Sequence, residues 1–430
     1  MSTTMEEMAA SVAADDGQSG GPALLQPLRE RDYRLVFAGE TISVLGDQFH
    51  FVALAWLALQ LTGSGLALGT VLMTAAIPRA VFMLVGGAFS DRFSPRTLML
   101  VSNLVRGAVV AVIAGLVLAG RAELWHLYVL AGIFGVVDAF FYPALNTIIP
   151  MLVPGRLLAP ANAAIQGSMQ VTGLIGPALA GATIALLTTG SAFVVDAASF
   201  GVAALAVFLV RGGRRAAPHS SDERESVLAS IGGGIRAAWG DAAVRGTLVL
   251  IMAVNLAFTG PVSVGLPWLA QERFGGGSAA FGILFSVWGG GALVGSVIGG
   301  SIDRVPRFGF VMLAVAATIG VGLGLLGLAP NEMVALAIIG PTGVLIGFVN
   351  VQYIAWLQRR APEHLRGRIM SLVMLASVGL APVSLAVAGA LIDLGAATLM
   401  YVAAGGIVVG AVLVGLAWRV PAAMDREPAT

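Results

Sequence analysis

The chain has 430 residues, 57% of them hydrophobic and 11% charged, with a net charge of +1. Soluble domains carry about 25% charged residues, so this chain cannot cover a water-facing surface and its main solvent is lipid. The small net charge gives no case for nucleic-acid binding, and the absence of cysteine excludes disulfides, thiolate metal sites and cysteine nucleophiles.

Residues 1–28 are polar, acidic and rich in Ala, Gly and Ser. They lack the positive start and apolar run of a secretory signal, and are predicted as a disordered cytoplasmic tail. A hydrocarbon core of about 30 Å takes roughly 20 apolar residues per helix. Runs of that kind follow at residues 35–61, 66–89, 97–119, 124–152, 158–187 and 192–210. Six more lie at 247–270, 279–298, 310–328, 333–357, 369–392 and 399–418. The expected fold is all-α and integral to the membrane. It comprises an N-terminal six-helix bundle (29–210), a linker (211–246), a C-terminal six-helix bundle (247–418) and a cytoplasmic tail (419–430).

Ionisable side chains inside lipid are expensive and each is a functional hypothesis. The first bundle holds four at mid-depth: Asp47 in the first span, Arg79 in the second, Arg106 in the third and Asp138 in the fourth. Helix rise places them ~14–20 Å from the inner ends of their spans. One reading is a static ion-pair network that fixes packing, although buried pairs are weak stabilisers. The other is protonation coupled to transport, since moving an Arg away from an Asp, or excluding water, changes its hold on a proton. Asp47 is the first choice for that role and Asp138 the second; Arg106 has the simpler option of pairing with Asp138.

Between the second and third spans stands Gly87-x-x-x-Asp91-Arg92, with Arg96 after it, and Gly299-x-x-x-Asp303-Arg304 repeats the pattern in the second bundle. Pro154-Gly155-Arg156-Leu157 and Pro362-Glu363-His364-Leu365 form a second matching pair. The bundles are therefore expected to be pseudo-symmetric repeats. The fifth span carries Gly173, Gly176, Pro177 and Gly181, where small residues allow close approach and Pro177 favours a bend; Ala381-Pro382 sits at the matching place later. Other polar groups at depth, candidates to line a substrate cavity, are Gln48, His50, Tyr142, Asn146, Gln166 and Gln170, then Asn255, Trp288, Asn350, Gln352 and Tyr353. Each competes with a plain packing role. Glu40 and Asp196 fall near span ends and read as interfacial. The linker is too polar to insert, and Val227, Ile231, Ile235 and Trp239 at four-residue steps suggest a surface amphipathic helix. Arginines crowd one set of loops, whereas the other set has only Arg121 and Arg273. Both termini and the linker are thus expected in the cytoplasm.

These motifs resemble the major facilitator superfamily from about Leu28 to Trp418. Gly87-x-x-x-Asp91-Arg92 with Arg96 is similar to the family's signature loop, and Gly299-x-x-x-Asp303-Arg304 to its echo. The resemblance implies a conformational latch there. Gly173–Gly181 is similar to a motif of exporters that exchange substrate for protons. Ile42–Trp56, Ile77-Pro78-Arg79, Leu104-Val105-Arg106 and Asp196–Phe200 look like the bacterial branch of enterobactin exporters and macrolide efflux pumps. The sequence departs from the signature at Ser94 and Pro95, and has Asp138 where many drug antiporters carry a fourth-span Arg.

The expectation is an exporter of an amphipathic small molecule, exchanging it for protons, monomeric in the plasma membrane of a bacterium. Its partners are the substrate, protons and lipid, with no cofactor and no metal. A nutrient importer is the main alternative. A membrane-embedded enzyme has no metal cluster or nucleophile motif to support it, and a non-transporting partner protein leaves the midplane charges unexplained.

Overall fold

In lipid every backbone polar group must be satisfied within its own segment, so long apolar runs become helices. A computed structural model of the chain describes residues 23–90, 93–212, 239, 242–302, 305–360 and 366–426. The first half consists of α1 (Arg31–Thr62), α2 (Gly65–Ser90), α3 (Pro95–Leu118), α4 (Leu124–Leu152), α5 (Leu158–Leu186) and α6 (Thr189–Leu209). The second opens with α7, helical over Ala242–Gly260 and continuing through two π turns to Arg273. It continues with α8 (Gly277–Ser301), α9 (Phe308–Leu326), α10 (Glu332–Arg360), α11 (Arg366–Val378), α12 (Ala381–Asp393), α13 (Ala397–Ala417) and a last turn α14 (Val420–Met424). Among the described residues, 12 spans are long and apolar enough to cross a bilayer, α11 and α12 together making one of them.

The ends of the helices follow local chemistry. Gly63 closes α1 in the left-handed region (φ 64°), its N–H on the Leu59 carbonyl. Ser94 accepts from the Thr97 N–H and Pro95 fills the first helical position of α3. The two residues that depart from the family signature thus make a helix start.

Several expectations are corrected. Residues 23–29 are not an irregular tail but a 3₁₀ turn lying against α1 and α5, with Pro27 buried. α1 begins at Arg31, a turn before the apolar run, because charged residues at a helix end still wind helically. The span expected at 369–392 is broken at Gly379–Leu380 between α11 and α12. Ser384 explains part of the local register: its hydroxyl accepts from the Gly260 N–H (2.7 Å) and donates to the Leu256 carbonyl (2.6 Å), splicing α7 just before Pro261. The linker helix expected over 226–239 and the Pro362–Leu365 motif lie outside the described residues, Trp239 excepted.

Within the first half α6 packs on α1 and α3, and α4 on α2 and α3; within the second, α8 packs on α10 and α13 on α9 and α7. The α8–α10 contact is backbone against backbone. A Cβ on Gly295 would collide with the Val344 carbonyl, and one on Gly347 with the Ala292 carbonyl. The halves meet along α5–α8 and α2–α12. Among the described residues, the hydrogen bonds and ring contacts joining the halves all lie from Gly173 toward the end that carries Arg121 and Arg273. Among the described residues, the halves are joined at this arginine-poor end.

One closing contact is made by a carboxylate. Asp393, the last residue of α12, accepts the Gly65 N–H at the start of α2 (2.6 Å) and the Ser64 hydroxyl. A carboxylate at a helix N-terminus is favoured by the helix dipole. Because Asp393 is exposed, the Asp393→Ala change is expected to cost the closed state about 1 kcal/mol, a shift of about fivefold toward opening. Distances between spin labels at Leu61 and Leu394, in a chain free of native cysteine, would show the longer population growing. An unchanged distribution removes Asp393 from the closure.

Candidate functional site

Gly135 lets α4 approach α2 until a Cβ there would strike the Ala75 carbonyl. One turn further along each helix, this contact sets Arg79 beside Asp138. Arg79 Nη2 stands 3.5 Å from Asp138 Oδ2, and Arg106 Nη1 donates to Asp138 Oδ1 at 3.1 Å. Arg106 is 2% exposed and also donates to Asn103 Oδ1 one turn earlier (3.0 Å). Its guanidinium lies over Phe141 (4.3 Å) and Phe200 (4.6 Å), while that of Arg79 lies over Tyr142 (5.7 Å). Aromatic faces hold a cation where water is scarce. Three of the four expected mid-depth charges are thus in one ion cluster, with one carboxylate shared by two guanidiniums.

Asp47, the fourth, stays apart. It is half-buried on α1 and has no hydrogen bond or ion pair among the described residues. Its electrostatic neighbours are Arg106, Asp138, Asp196 and His50. Glu40, seven residues earlier on the same helix face, is 4% exposed and not interfacial as expected. The earlier start of α1 places it another turn inside. Ser43, between them, is buried too.

Asp196 is likewise not interfacial: it is 0% exposed and pairs with His50, Oδ2 to Nδ1 at 3.0 Å. Two small-residue notches bring α1 and α6 close enough. A Cβ on Gly39 would press on Ala206, and one on Gly46 would strike Ser199. His50 stacks on Phe134 (4.1 Å) and meets the edge of Phe193 (6.0 Å). This corrects its placement among the cavity residues. Asp196 Oδ1 is buried without a partner among the described residues.

The remaining polar candidates divide. Gln166 and Gln170 are exposed and continue, at helical spacing, the α5 face that carries Gly173, Pro177 and Gly181. They therefore lie on the side of α5 turned toward the second half. Asn146 and Asn350 are also exposed, and Tyr142 is half-buried beside Arg79. Gln48 is wedged on Gly176, where a Cβ would meet its Cγ at 2.6 Å. Asn255 bonds back to the Ile251 carbonyl (3.0 Å). Trp288 packs on Phe258 and Phe285 with its indole N–H unpaired among the described residues. Tyr353 is not a cavity residue: it is buried against Trp356 in the core of the second half. Gln352 is buried as well, donating to the Gly299 and Ile302 carbonyls at the end of α8 (both 2.7 Å).

In the motif on α5, Gly173 abuts Gly289, Pro177 abuts Gly282 and Gly181 abuts Ser278, all across the halves. The Ala178 N–H donates to Ser286 Oγ on α8 (2.9 Å). Sequence reading found the motif but not its partner serines, since nothing local marks which Ser faces a proline bend. Of the latch residues, Gly87 lies near the end of α2 and Gly299 against Phe348 of α10; Asp91, Arg92, Asp303 and Arg304 lie outside the described residues. Arg96 donates to the Val207 (3.1 Å) and Phe208 carbonyls, tying α3 to the end of α6 within one half.

In all, four carboxyls (Glu40, Asp47, Asp138, Asp196) and two guanidiniums (Arg79, Arg106) occupy the interior of the first half. Among the described residues, the second half carries its charges only near span ends. If every acid were ionised and His50 neutral, acids would outnumber cations by two, a costly excess away from water. Bound protons are the means of removing it that these residues themselves offer.

The model of the Major Facilitator Superfamily matches residues 36–384. Multidrug efflux pump Tap of Mycolicibacterium fortuitum is 28% identical over 366 residues, 84% of this chain and 88% of that one. Macrolide efflux protein A of Streptococcus pyogenes is 23% identical, over 78% of this chain and 83% of its own. Among solved structures, a bacterial homologue of the iron transporter ferroportin in an inward-facing state superposes with a TM-score of 0.70. It is 18% identical, and the match covers 92% of this chain and 99% of the other.

Proposed function

Because this chain belongs to the major facilitator superfamily, we propose that it is a secondary active exporter of amphipathic small molecules, driven by exchange for protons. The observation that carries the proton is the imbalance in the first half, where four acids meet two guanidiniums, with Glu40, Asp196 and Arg106 buried. Direction and substrate class rest on the relatives named as multidrug and macrolide efflux proteins. The α5 face supports the class as well. Asn162, Gln166 and Gln170 are the polar groups on an otherwise small or apolar α5 face, which suits a ligand bound by apolar contact with few polar anchors.

In this reading the chain is a monomer in a bacterial plasma membrane. Its arginine-rich loops and both termini are cytoplasmic, and the joining of the halves at the arginine-poor end corresponds to the cytoplasm-facing state. The loop at Gly87, Asp91 and Arg92 and its echo at Gly299, Asp303 and Arg304 act as the latch on the far side of the cycle, with Arg96 anchoring it to α6. The two halves rock about the α5–α8 and α2–α12 contacts.

The experiment is transport of ethidium and a macrolide into inverted membrane vesicles under an acid-inside gradient, with internal pH followed by a trapped dye. The expected result is substrate accumulation accompanied by proton efflux. Accumulation only in right-side-out vesicles would establish the importer instead. Accumulation with no proton movement would remove the coupling claim.

A further inference from the structure

The ion cluster around Asp138 is not the first half's sole titratable assembly. We propose that His50 and Asp196 form a proton-binding relay that serves the arginine-poor end and passes its proton along α1 to Asp47. The inference rests on the proton-coupled reading above and deepens it by giving the proton a route separate from the substrate cleft.

Asp196 lies seven residues into α6, which begins at the arginine-poor end, so the pair is ~10 Å from that end. His50 follows Asp47 by three residues on one face of α1, ~4.5 Å along the axis. Glu40, Ser43, Asp47 and His50 thus make a polar stripe through a helix otherwise lined by apolar groups. The glycines at 39 and 46 turn the neighbouring face of α1 onto α6, which places Asp196 beside the stripe.

In this structure the halves are joined at the arginine-poor end, and His50 and Asp196 sit between Phe134, Phe193 and Phe200 with little or no exposure. Among the described residues, Asp196 Oδ2 has one partner, His50 Nδ1, and Oδ1 has none. A buried carboxylate with a single side-chain partner is costly as a charge. The buried pair has a place for a second proton, as imidazolium and carboxylate or as imidazole and carboxylic acid. Water reaching it when the arginine-poor end opens supplies that proton.

Asp47 of α1 and Arg106 of α3 are the charged groups within electrostatic reach of the pair, and beyond them the cluster continues to Asp138 of α4, Arg79 of α2 and Glu40 of α1; α5 contributes none at this depth. Arg106 and Arg79 are committed to Asp138, which leaves Asp47 as the free acceptor. The step is a transfer of one proton. The protonated pair loses H⁺ and returns to imidazole with carboxylate, and the Asp47 carboxylate becomes a carboxylic acid. Asp47 is half-buried, and in this scheme the proton leaves it toward the arginine-rich end. Asp196 accepts and Asp47 delivers, and the net flow is from the arginine-poor to the arginine-rich end, opposite to export.

The test uses the full-length protein, wild type and two variants, His50→Gln and Asp196→Asn. Infrared difference spectra of purified protein across a pH jump need no ligand. The wild type is expected to show a carboxyl and imidazole change that both variants lack. In proteoliposomes with ethidium as probe, acid-driven transport should fall at least about tenfold in both variants and lose its dependence on pH at the arginine-poor side. Ethidium exchange without a gradient should stay within about twofold of wild type, which a merely structural role would not allow. If His50→Gln keeps the wild-type spectrum and pH profile, the relay is wrong. If exchange falls as far as driven transport in both variants, the pair is structural and the relay is again wrong. Wild type that moves ethidium with no proton flux would sink the proton-coupled function itself, a result separate from either.

Discussion

In the Asp47→Asn variant, uphill transport is expected to collapse while exchange of substrate at equal concentrations continues. Asparagine keeps the shape of the side chain and removes its capacity to bind and release a proton. The position favours a clean result. Asp47 has no hydrogen bond or ion pair among the described residues, so the change breaks no contact and should leave folding within about 0.5 kcal/mol. Asp138 offers no such separation, since it holds two guanidiniums and its loss would leave Arg106 buried without its ion-pair partner. The accumulation ratio should fall by at least about tenfold, the factor set by 1.4 kcal/mol of lost coupling. Asp47→Glu should restore part of it. The measurement is ethidium accumulation against exchange in the same proteoliposomes. An Asp47→Asn protein that still concentrates ethidium with an unchanged pH profile would show that Asp47 carries no proton.

Gly295→Leu should have the largest effect on stability. Between α8 and α10 the obstacles to a new Cβ are the Val344 carbonyl and the Phe348 N–H, backbone atoms that cannot swing aside. The helices would have to separate along the whole contact, undoing the seats of Gly291 on Gly340 and of Gly347 on Ala292. Overpacking costs about 1–3 kcal/mol where side chains yield, and more where they cannot. The thermal midpoint in detergent should drop by several degrees, about 2–4 °C per kcal/mol for a chain larger than 150 residues. Gly300→Leu is the control, because a Cβ there meets open space. Equal midpoints for both variants would rule out backbone contact as the stabilising feature.

The twelve spans were legible because hydropathy over roughly 20 residues is a property of the chain alone. So were the four mid-depth charges, since counting residues from a span end gives depth. What counting could not give is azimuth. Asp196 was read as interfacial from its distance to the end of its span, yet Gly46 opens a notch on α1 that draws it into the bundle. The signal was present in part: Gly39 and Gly46, seven apart, repeat on one face of α1, and the residues opposite are small. Reading it required knowing that α1 pairs with α6, which neither segment carries by itself. Tyr353 failed for the same reason, its depth correct and its facing wrong. The break at Gly379–Leu380 was missed because hydropathy runs unbroken through it.

The stripe on α1 has an electrical consequence. From His50 to Asp47 is three residues, or ~4.5 Å of helix, about a seventh of a 30 Å hydrocarbon layer. In the proposed relay a proton moving between them crosses that share of the membrane voltage while the helices stand still. At ~2.3 kcal/mol per charge per 100 mV across the whole layer, that share corresponds to ~0.3 kcal/mol. Part of the driving voltage would then fall on proton transfer inside one bundle, and the rest on the rocking of the two. A fast voltage step should evoke a charge displacement that precedes any movement of substrate.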